Sequence, residues 1–169
     1  YHYITMSLIK FVVFDFDGVF TDGKFYFDNH QNVSKSYNAK DTYSLKILED
    51  HGILRGIITN DKVVSIENAP HVFNRLNKWS IGSDVPKEDI ISEWIQECGF
   101  AYEEIAYIGD DLPDIPVLKQ VGFSGCPLDA IDEVKYVCNY ICTHKGGDGA
   151  VREFVNSIIK NNDRQRNNQ

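Results

Sequence analysis

The 169-residue sequence is poor in cysteine and methionine, carries fewer basic than acidic side chains, and contains no long apolar run. No stretch approaches the roughly 18 consecutive apolar residues of a transmembrane helix, which argues against a membrane-spanning protein. Lys and Arg total 17 against 25 Asp and Glu, so the net charge of −8 disfavours binding to nucleic acid or to an anionic membrane. The hydrophobic fraction of 43% suffices for one folded core and excludes a disordered or collagen-like chain.

Cysteine is too scarce for a disulfide framework in a chain of this length. The four cysteines form no CxxC pair, and their setting is typical of small buried thiols. Zinc at Cys138, Cys142 and His144 is the alternative, but the strand-like pattern of 137–142 favours structural thiols. Reduced thiols and the lack of a recognisable leader predict a cytoplasmic protein. Met6 is the single methionine, so residues 1–7 are expected to be a cloning remnant or an N-terminal extension.

Several common functional motifs are missing as well. The chain has no Walker A sequence, no GxGxxG and no GxSxG, which argues against P-loop, dinucleotide-binding and serine-hydrolase sites. The acidic segment 15–20 does not fit an EF-hand loop, because Phe20 stands where that loop requires glycine.

The sequence does contain an alternation of apolar, strand-like runs and helical segments, which predicts one α/β domain with a doubly wound parallel sheet. Strands are predicted at 8–14, 53–59, 79–82, 105–108, 121–126 and 137–142, and a hairpin insertion after the first strand at 24–37. Helices are predicted at 41–50 with Asp41 as cap, in part of 61–77 with a break at Pro70, and at 87–98, 116–120 and 150–160. Asp148 is the predicted N-cap of the last helix, and 161–169 a frayed, flexible tail.

Polar side chains follow three of the apolar strands. The strands end in Asp15-Phe16-Asp17-Gly18, in Thr59-Asn60, and in Gly109-Asp110-Asp111 with Asp114 close behind. Ligands of such sheets bind at the carboxyl ends of the strands, so these groups are expected to meet there. Crowded carboxylates repel one another, and Mg²⁺, which prefers hard oxygen ligands, relieves the repulsion. Each motif alone also fits an ordinary turn or helix cap, whereas the three together point to a site.

These residue types suit phosphoryl transfer. A carboxylate can attack phosphorus and form an aspartyl-phosphate. Mg²⁺, backbone N–H groups near Gly18, the Thr59 hydroxyl and the Lys87 ammonium would surround the transferred group with positive charge and donors. The second carboxylate, Asp17, would protonate the leaving oxygen and then activate water.

The chain resembles the haloacid dehalogenase superfamily of phosphohydrolases at residues 15–19, Thr59, Lys87 and residues 109–114. Segments 15–23 and 145–153 and the hairpin resemble one branch, the cap-less phosphatases of 3-deoxy-ulosonic acid phosphates such as Kdo 8-phosphate and KDN 9-phosphate. The resemblance covers nearly all of 8–160. It implies one phosphatase domain over 1–169, with a three-layer Rossmann-like fold and no cap domain. The implied substrate is a small sugar acid phosphate of the Kdo, KDN or sialic acid type.

The resemblance also implies which residues bind the metal and transfer protons. Asp15 would be the nucleophile and a Mg²⁺ ligand. Asp17 would be the general acid and base, with its main-chain carbonyl on the metal. Asp110 would be the third ligand, with Asp111 and Asp114 supporting it.

Phosphate binding and assembly are implied in the same way. Thr59 and Lys87 would hold the phosphoryl group, next to Gly18 and Asn60, and the glycine-rich stretch 146–149 would approach the site. Members of the branch form homotetramers in which the hairpin at 24–37 packs against the other subunits. A neighbouring subunit then covers the active site in place of a cap domain.

The chain departs from the branch where the substrate is recognised. Asn60-Asp61-Lys62 follows Thr59 in place of the usual glycine and charged residue, and Arg75 is the only arginine near the expected carboxylate-binding positions. The spacing from Gly82 to Lys87 is one residue longer than usual. The sequence therefore leaves the particular sugar acid open.

Two functions of other classes also remain open. A receiver-like signalling domain places Asp, Thr and Lys around Mg²⁺ too, although the order of the acidic motifs along this chain fits it poorly. A non-catalytic oligomerisation domain, related to those appended to CMP-sialate synthetases, is the third interpretation. The complete catalytic set argues against it.

Overall fold

The computed structural model describes residues 6–62 and 68–168. The predictions for residues 1–5 and for the part of the 61–77 segment at 63–67 lie outside the described residues, as does residue 169. Among the helices of the described residues, none combines the length and the apolar composition that a bilayer crossing requires.

A six-stranded parallel sheet forms the centre of the domain. Its strands are β1 (Phe11–Phe14), β4 (Leu54–Thr59), β5 (Lys78–Ile81), β6 (Ile105–Ile108), β7 (Phe123–Cys126) and β8 (Tyr140–Ile141). The spatial order is β5-β4-β1-β6-β7-β8, so the chain runs outward from β1 and then returns to its other side. This reversal confirms the predicted doubly wound sheet and places a cleft at the carboxyl ends of β1, β4 and β6.

The predicted hairpin insertion is also present. It consists of β2 (Tyr26–Phe27) and β3 (Val33–Ser34), which pair antiparallel outside the central sheet. A single bridge between Thr21 and Tyr37 joins the two ends of the insertion. The hairpin therefore leaves and re-enters the domain close to the loop that follows β1.

Helices cover both faces of the sheet. They are α1 (Ala39–Asp50), α2 (Pro70–Phe73), α3 (Lys87–Cys98), α4 (Ile115–Leu118), α5 (Asp132–Val137) and α6 (Ala150–Asn167). Val12 and Phe14 of β1 belong to the core with α1 and α6, while Phe11 and Val13 belong to the core with α3, α4 and α5. The alternation along one buried strand thus serves both layers.

Several helix and strand ends differ from the prediction. Asn38 caps α1, with its side chain accepting the Lys40 N–H at 2.8 Å, so the cap is not Asp41. Pro70 begins α2 as its first residue, where its missing N–H costs nothing, and does not break a helix. Residues 132–137 form α5, so the last strand is limited to β8.

The start of the last helix is capped from a distance. Gly149 occupies the N-cap position of α6, so the predicted cap Asp148 is wrong. The buried Asp41 carboxylate of α1 accepts the N–H groups of Gly149 at 3.1 Å and Arg152 at 3.0 Å. A side chain more than a hundred positions earlier thus satisfies this helix start.

The predicted frayed tail is wrong over 161–167, which continue α6. Asn162 is buried there and holds the chain before β1. Its side chain accepts the Ile9 N–H at 2.9 Å and donates to the Ile9 carbonyl at 2.8 Å. This polar segment continues the helix, and its buried amide is hydrogen-bonded at both its oxygen and its nitrogen.

Candidate active site

The structure brings all predicted site residues to one open cavity of about 270 Å³ at the carboxyl edge of the sheet. Because β1, β4 and β6 are neighbours, the segments that follow them lie side by side, and the first turn of α3 adds Lys87. The predicted residues that line the cavity are Asp15, Asp17, Gly18, Thr59, Asn60, Lys87, Asp110, Asp111 and Asp114.

Asp15 lies directly after β1 and is almost fully buried. Its backbone N–H bonds to the Ile108 carbonyl at 3.0 Å, and its carboxylate accepts the Phe16 N–H at 2.7 Å. The Lys87 ammonium is 3.1 Å from the same oxygen. Burial and the nearby Asp114 raise the pKa of Asp15 well above its usual value, although Lys87 opposes them. Further positive charge is needed to keep this carboxylate ionised.

Asp110 faces Asp15 from the end of β6. Burial, and after it the charge of Asp114, raises the pKa of Asp110 to about 7. Gly18, with φ of +76°, lies so close that an added Cβ would come within 1.9 Å of an Asp110 carboxylate oxygen. Side-chain oxygens of Asp15, Asp110 and Asp114 all lie within 4.8 Å of one another. Such a set of hard oxygen donors suits a divalent cation.

Asp114 differs from the other two acids because hydrogen bonds occupy both of its oxygens. One oxygen accepts the Lys87 ammonium at 2.7 Å and the Tyr107 hydroxyl at 2.6 Å. The other accepts the backbone N–H groups of Asp110 at 2.9 Å and Asp111 at 3.1 Å. A carboxylate with four donors has little capacity left for a metal. Asp114 therefore orients Lys87 and the turn after β6.

Lys87 is a buried, fixed cation. Burial alone would lower the pKa of its ammonium, but the charges of Asp15 and Asp114 raise that pKa above the usual value. Burial and the charge of Asp114 also raise the pKa of the Tyr107 hydroxyl well above its usual value, so Tyr107 acts as a neutral donor. Tyr107 was not predicted, because a tyrosine inside an apolar strand carries no signal of a site.

The segment after β4 forms another wall. Thr59 is buried, and its hydroxyl oxygen accepts the Asp61 N–H at 3.2 Å. Asn60 is exposed at the cavity and Asp61 is half-buried beside it. Arg75, in contrast, lies outside the cavity and pairs with Glu49 at 3.4 Å.

The hairpin supplies a residue that sequence reasoning missed. The Lys35 ammonium lies 2.7 and 2.8 Å from the two carboxylate oxygens of Asp17, and it also pairs with Asp61. Phe25, from the other arm of the hairpin, lines the cavity. The only signal in the sequence was a lysine within a segment interpreted as a subunit contact.

The glycine-rich stretch lies against the loop after β1, as the resemblance implies. The Gly147 N–H donates to the Val19 carbonyl at 3.1 Å. A Cβ on Gly146 would come within 1.9 Å of the Gly18 carbonyl oxygen, so this approach requires glycine. The stretch thereby supports the backbone of the loop that follows β1.

Comparisons with known proteins agree with this geometry. The sequence profile of the haloacid dehalogenase-like hydrolases matches residues 41–122. The 3-deoxy-D-manno-octulosonate 8-phosphate phosphatase of Yersinia pestis is 33% identical over 151 residues, which cover 89% of this chain and 80% of that protein.

Solved structures show the same similarity. The phosphatase of that name from Moraxella catarrhalis, in complex with a magnesium ion, a phosphate ion and KDO, matches with a TM-score of 0.86 and 28% identity over 94% of this chain and 90% of that one. The cobalt-bound deoxy-D-mannose-octulosonate 8-phosphate phosphatase from Haemophilus influenzae matches with a TM-score of 0.84 and 29% identity over 94% and 92%.

Proposed function

The chain belongs to the haloacid dehalogenase-like hydrolases and is a phosphatase, and on that premise we propose that it is a Mg²⁺-dependent phosphomonoesterase of a 3-deoxy-ulosonic acid phosphate. One observation carries the proposal: the buried Asp15 carboxylate, Asp17, Lys87 and Asp110 all line a single open cavity. The named activity of the relatives, on 3-deoxy-D-manno-octulosonate 8-phosphate, supports this substrate class over other phosphate esters.

The residues at the cavity fit a divalent cation. Without one, burial and neighbouring charge leave Asp15 and Asp110 with raised pKa values, and Gly18 leaves room for the Asp110 carboxylate. Asp15, Asp110 and the main-chain carbonyl of Asp17 are the groups proposed to hold Mg²⁺. The ion supplies positive charge to the phosphoryl oxygens when it is bound.

The first chemical step transfers the phosphoryl group to the enzyme. A carboxylate oxygen of Asp15 forms a bond to phosphorus while the bond from phosphorus to the leaving oxygen breaks. The protonated carboxyl of Asp17 gives its proton to that oxygen, so the sugar acid leaves as an alcohol. Lys87 and Thr59 hold the non-bridging oxygens, and Asp114 keeps the Lys87 ammonium in place.

The second step regenerates the enzyme. Water attacks phosphorus, and the Asp17 carboxylate accepts the proton that the water loses. The bond from phosphorus to the Asp15 oxygen breaks, which releases inorganic phosphate and a free Asp15 carboxylate. Asp17 is then protonated again for the next substrate.

The hairpin provides the proposed contact between subunits. Phe25, Tyr26 and Phe27 are 52%, 45% and 70% exposed, a concentration of aromatic surface on the hairpin, and Phe25 also lines the cavity. Burial in a homotetramer would shield this surface and cover the site, as in the branch that the sequence resembles. Light scattering tests the assembly: Phe27→Lys should yield smaller particles than the wild type.

The proposed location of the protein is the cytoplasm.

A screen of phosphate release tests the activity. Purified protein with Mg²⁺ is offered phosphorylated sugars and phosphorylated 2-keto-3-deoxy acids, alongside an Asp15→Asn control. The proposal expects the highest kcat/KM for a 3-deoxy-ulosonic acid phosphate and loss of activity with EDTA. Equal activity of Asp15→Asn would refute the assigned nucleophile. A phosphoenzyme that persists for many minutes without turnover would favour a receiver-like signalling domain. Failure to release phosphate from any substrate would favour a non-catalytic oligomerisation domain.

A further inference from the structure

Lys35 follows strand β3 of the hairpin, and its side chain pairs with two acids that line the active-site cavity. The side chain is 9% exposed, and its ammonium lies 2.7 and 2.8 Å from the two oxygens of Asp17. The same ammonium pairs with Asp61 and lies 4.7 Å from the centre of the Phe25 ring. The Lys35 ammonium thereby connects the hairpin to the loop after β1 and to the segment after β4.

The surroundings show what this charge does. Asp17 and Asp61 are acids at a cavity that is also lined by Asp15 and Asp110. Without a cation between them, the carboxylates of Asp17 and Asp61 would repel each other. The other side-chain contact described for the Asp17 carboxylate is the Thr21 hydroxyl, at a long 3.4 Å. The position of the Asp17 carboxylate therefore depends mainly on Lys35.

We propose that Lys35 is a positioning residue for Asp17: anchored by Asp61 and by the face of Phe25, it holds the Asp17 carboxylate at the cavity mouth, where the leaving oxygen departs. The inference rests on the proposed function, because that function gives Asp17 its role in proton transfer. It also makes the hairpin part of the chemical machinery, in addition to its proposed part in assembly.

Leaving-group dependence provides the test. Para-nitrophenolate leaves without a proton, whereas an alkoxide from an alkyl or sugar phosphate requires one from Asp17. In Lys35→Met, kcat/KM, which reports the steps up to phosphoryl transfer to Asp15, should fall about tenfold or more for the sugar phosphate and change less than about threefold for para-nitrophenyl phosphate. A merely structural role would lower both rates by the same factor.

Three further variants make the comparison specific. Lys24→Met removes the same charge from an exposed position of the same hairpin and should leave the ratio of the two rates unchanged. Lys35→Arg should restore part of the ratio, because it retains a cation on a long stem. Asp61→Asn should shift the ratio in the direction of Lys35→Met but by less, and it serves as the main test if Lys35→Met does not fold.

The outcomes are separable. An active wild type with an unchanged rate ratio in folded Lys35→Met, or in Asp61→Asn if Lys35→Met fails to fold, overturns this inference alone. A wild type that hydrolyses neither substrate overturns the proposed function and this inference with it. A ratio that shifts equally in Lys24→Met shows that bulk charge is responsible, which also overturns the role assigned to Lys35.

Discussion

The acidic side chains at the carboxyl edge of the sheet and the Glu153 carboxylate at the start of α6 differ in how their charge is compensated. Burial and the charge of Asp114 raise the pKa of Asp110 to about 7. Burial of Glu153 would also raise its pKa, but hydrogen bonds from His144, Thr143 and Tyr140 lower it to about 2. Both groups lie within one domain, so the difference comes from the local donors.

The Glu153 carboxylate is surrounded by donors from one short segment. Thr143 donates its N–H at 2.9 Å and its hydroxyl at 2.8 Å, and His144 donates its N–H at 3.1 Å. The Tyr140 hydroxyl adds a bond at 2.9 Å. The hydrogen bonds from these donors satisfy the Glu153 carboxylate without a bound ligand. They also fix the segment that precedes the glycine-rich stretch. Asp110 at the sheet edge has no comparable set of donors among the described residues, and with Asp15 it is arranged to receive a cation.

The largest expected effect that separates the two groups comes from Asp110→Asn. Phosphatase activity should fall roughly 10²-fold or more, because one oxygen ligand of the proposed metal is lost. The metal-free Tm, measured above pH 7 where Asp110 is ionised, should instead rise by about 2–4 °C per kcal/mol of relieved repulsion. Activity assays and thermal unfolding with and without Mg²⁺ measure both. A lower metal-free Tm would show that Asp110 is a structural acid like Glu153.

Gly18→Ala should affect the sheet edge without changing any of its charges. The new Cβ would overlap the Asp110 carboxylate, and the positive φ disfavours alanine, so Mg²⁺ affinity should weaken about tenfold or more. Calorimetric titration with Mg²⁺ measures this, and Gly52→Ala, at a positive φ with open space around it, is the matched control for backbone strain. Equal Mg²⁺ affinity of Gly18→Ala and the wild type would contradict the placement of the metal.

Glu153→Gln should have a smaller effect, and on stability. Loss of the ionised acceptor should lower the free energy of unfolding by about 1–2 kcal/mol. Any loss of activity should come indirectly, from a shift of the glycine-rich stretch 146–149. Because the folded pKa is depressed, the stabilisation is complete above 4.5 and is lost as the pH falls from 4.5 to about 2. As the pH is lowered through this range, the free energy of unfolding should therefore fall more steeply for the wild type than for the variant. The same dependence on pH in both proteins would contradict the depressed pKa assigned to Glu153.

The sequence was sufficient to predict the sheet edge because its signals are local. Asp15 and Asp17 directly follow an apolar strand, and Asp110 follows another, so the parallel order alone brings them together. Polar residues at the end of a buried run have few structural reasons to be there. The same logic placed Thr59, which ends β4, at the cavity, whereas Lys87 begins α3 and was expected at the site from the family resemblance.

The contacts that escaped prediction join segments far apart in the chain. Asp41 caps α6 across 108 positions, and Asn162 bonds to Ile9 across 153. Lys35 reaches Asp61 only because the hairpin folds back over the cavity. Periodicity describes which face a residue occupies, but it carries no information about which distant segment meets that face.

Accumulation of the phosphoenzyme in Asp17→Asn would separate the roles proposed for Asp15 and Asp17. With para-nitrophenyl phosphate and Mg²⁺ the first step needs no proton from residue 17, whereas the second step needs a base there. We expect a burst of about one nitrophenolate per active site, followed by slow turnover. Acid quenching and peptide mapping should then locate the phosphoryl group on Asp15. A phosphoryl group on another residue, or steady turnover at the wild-type rate without a burst, would contradict these roles.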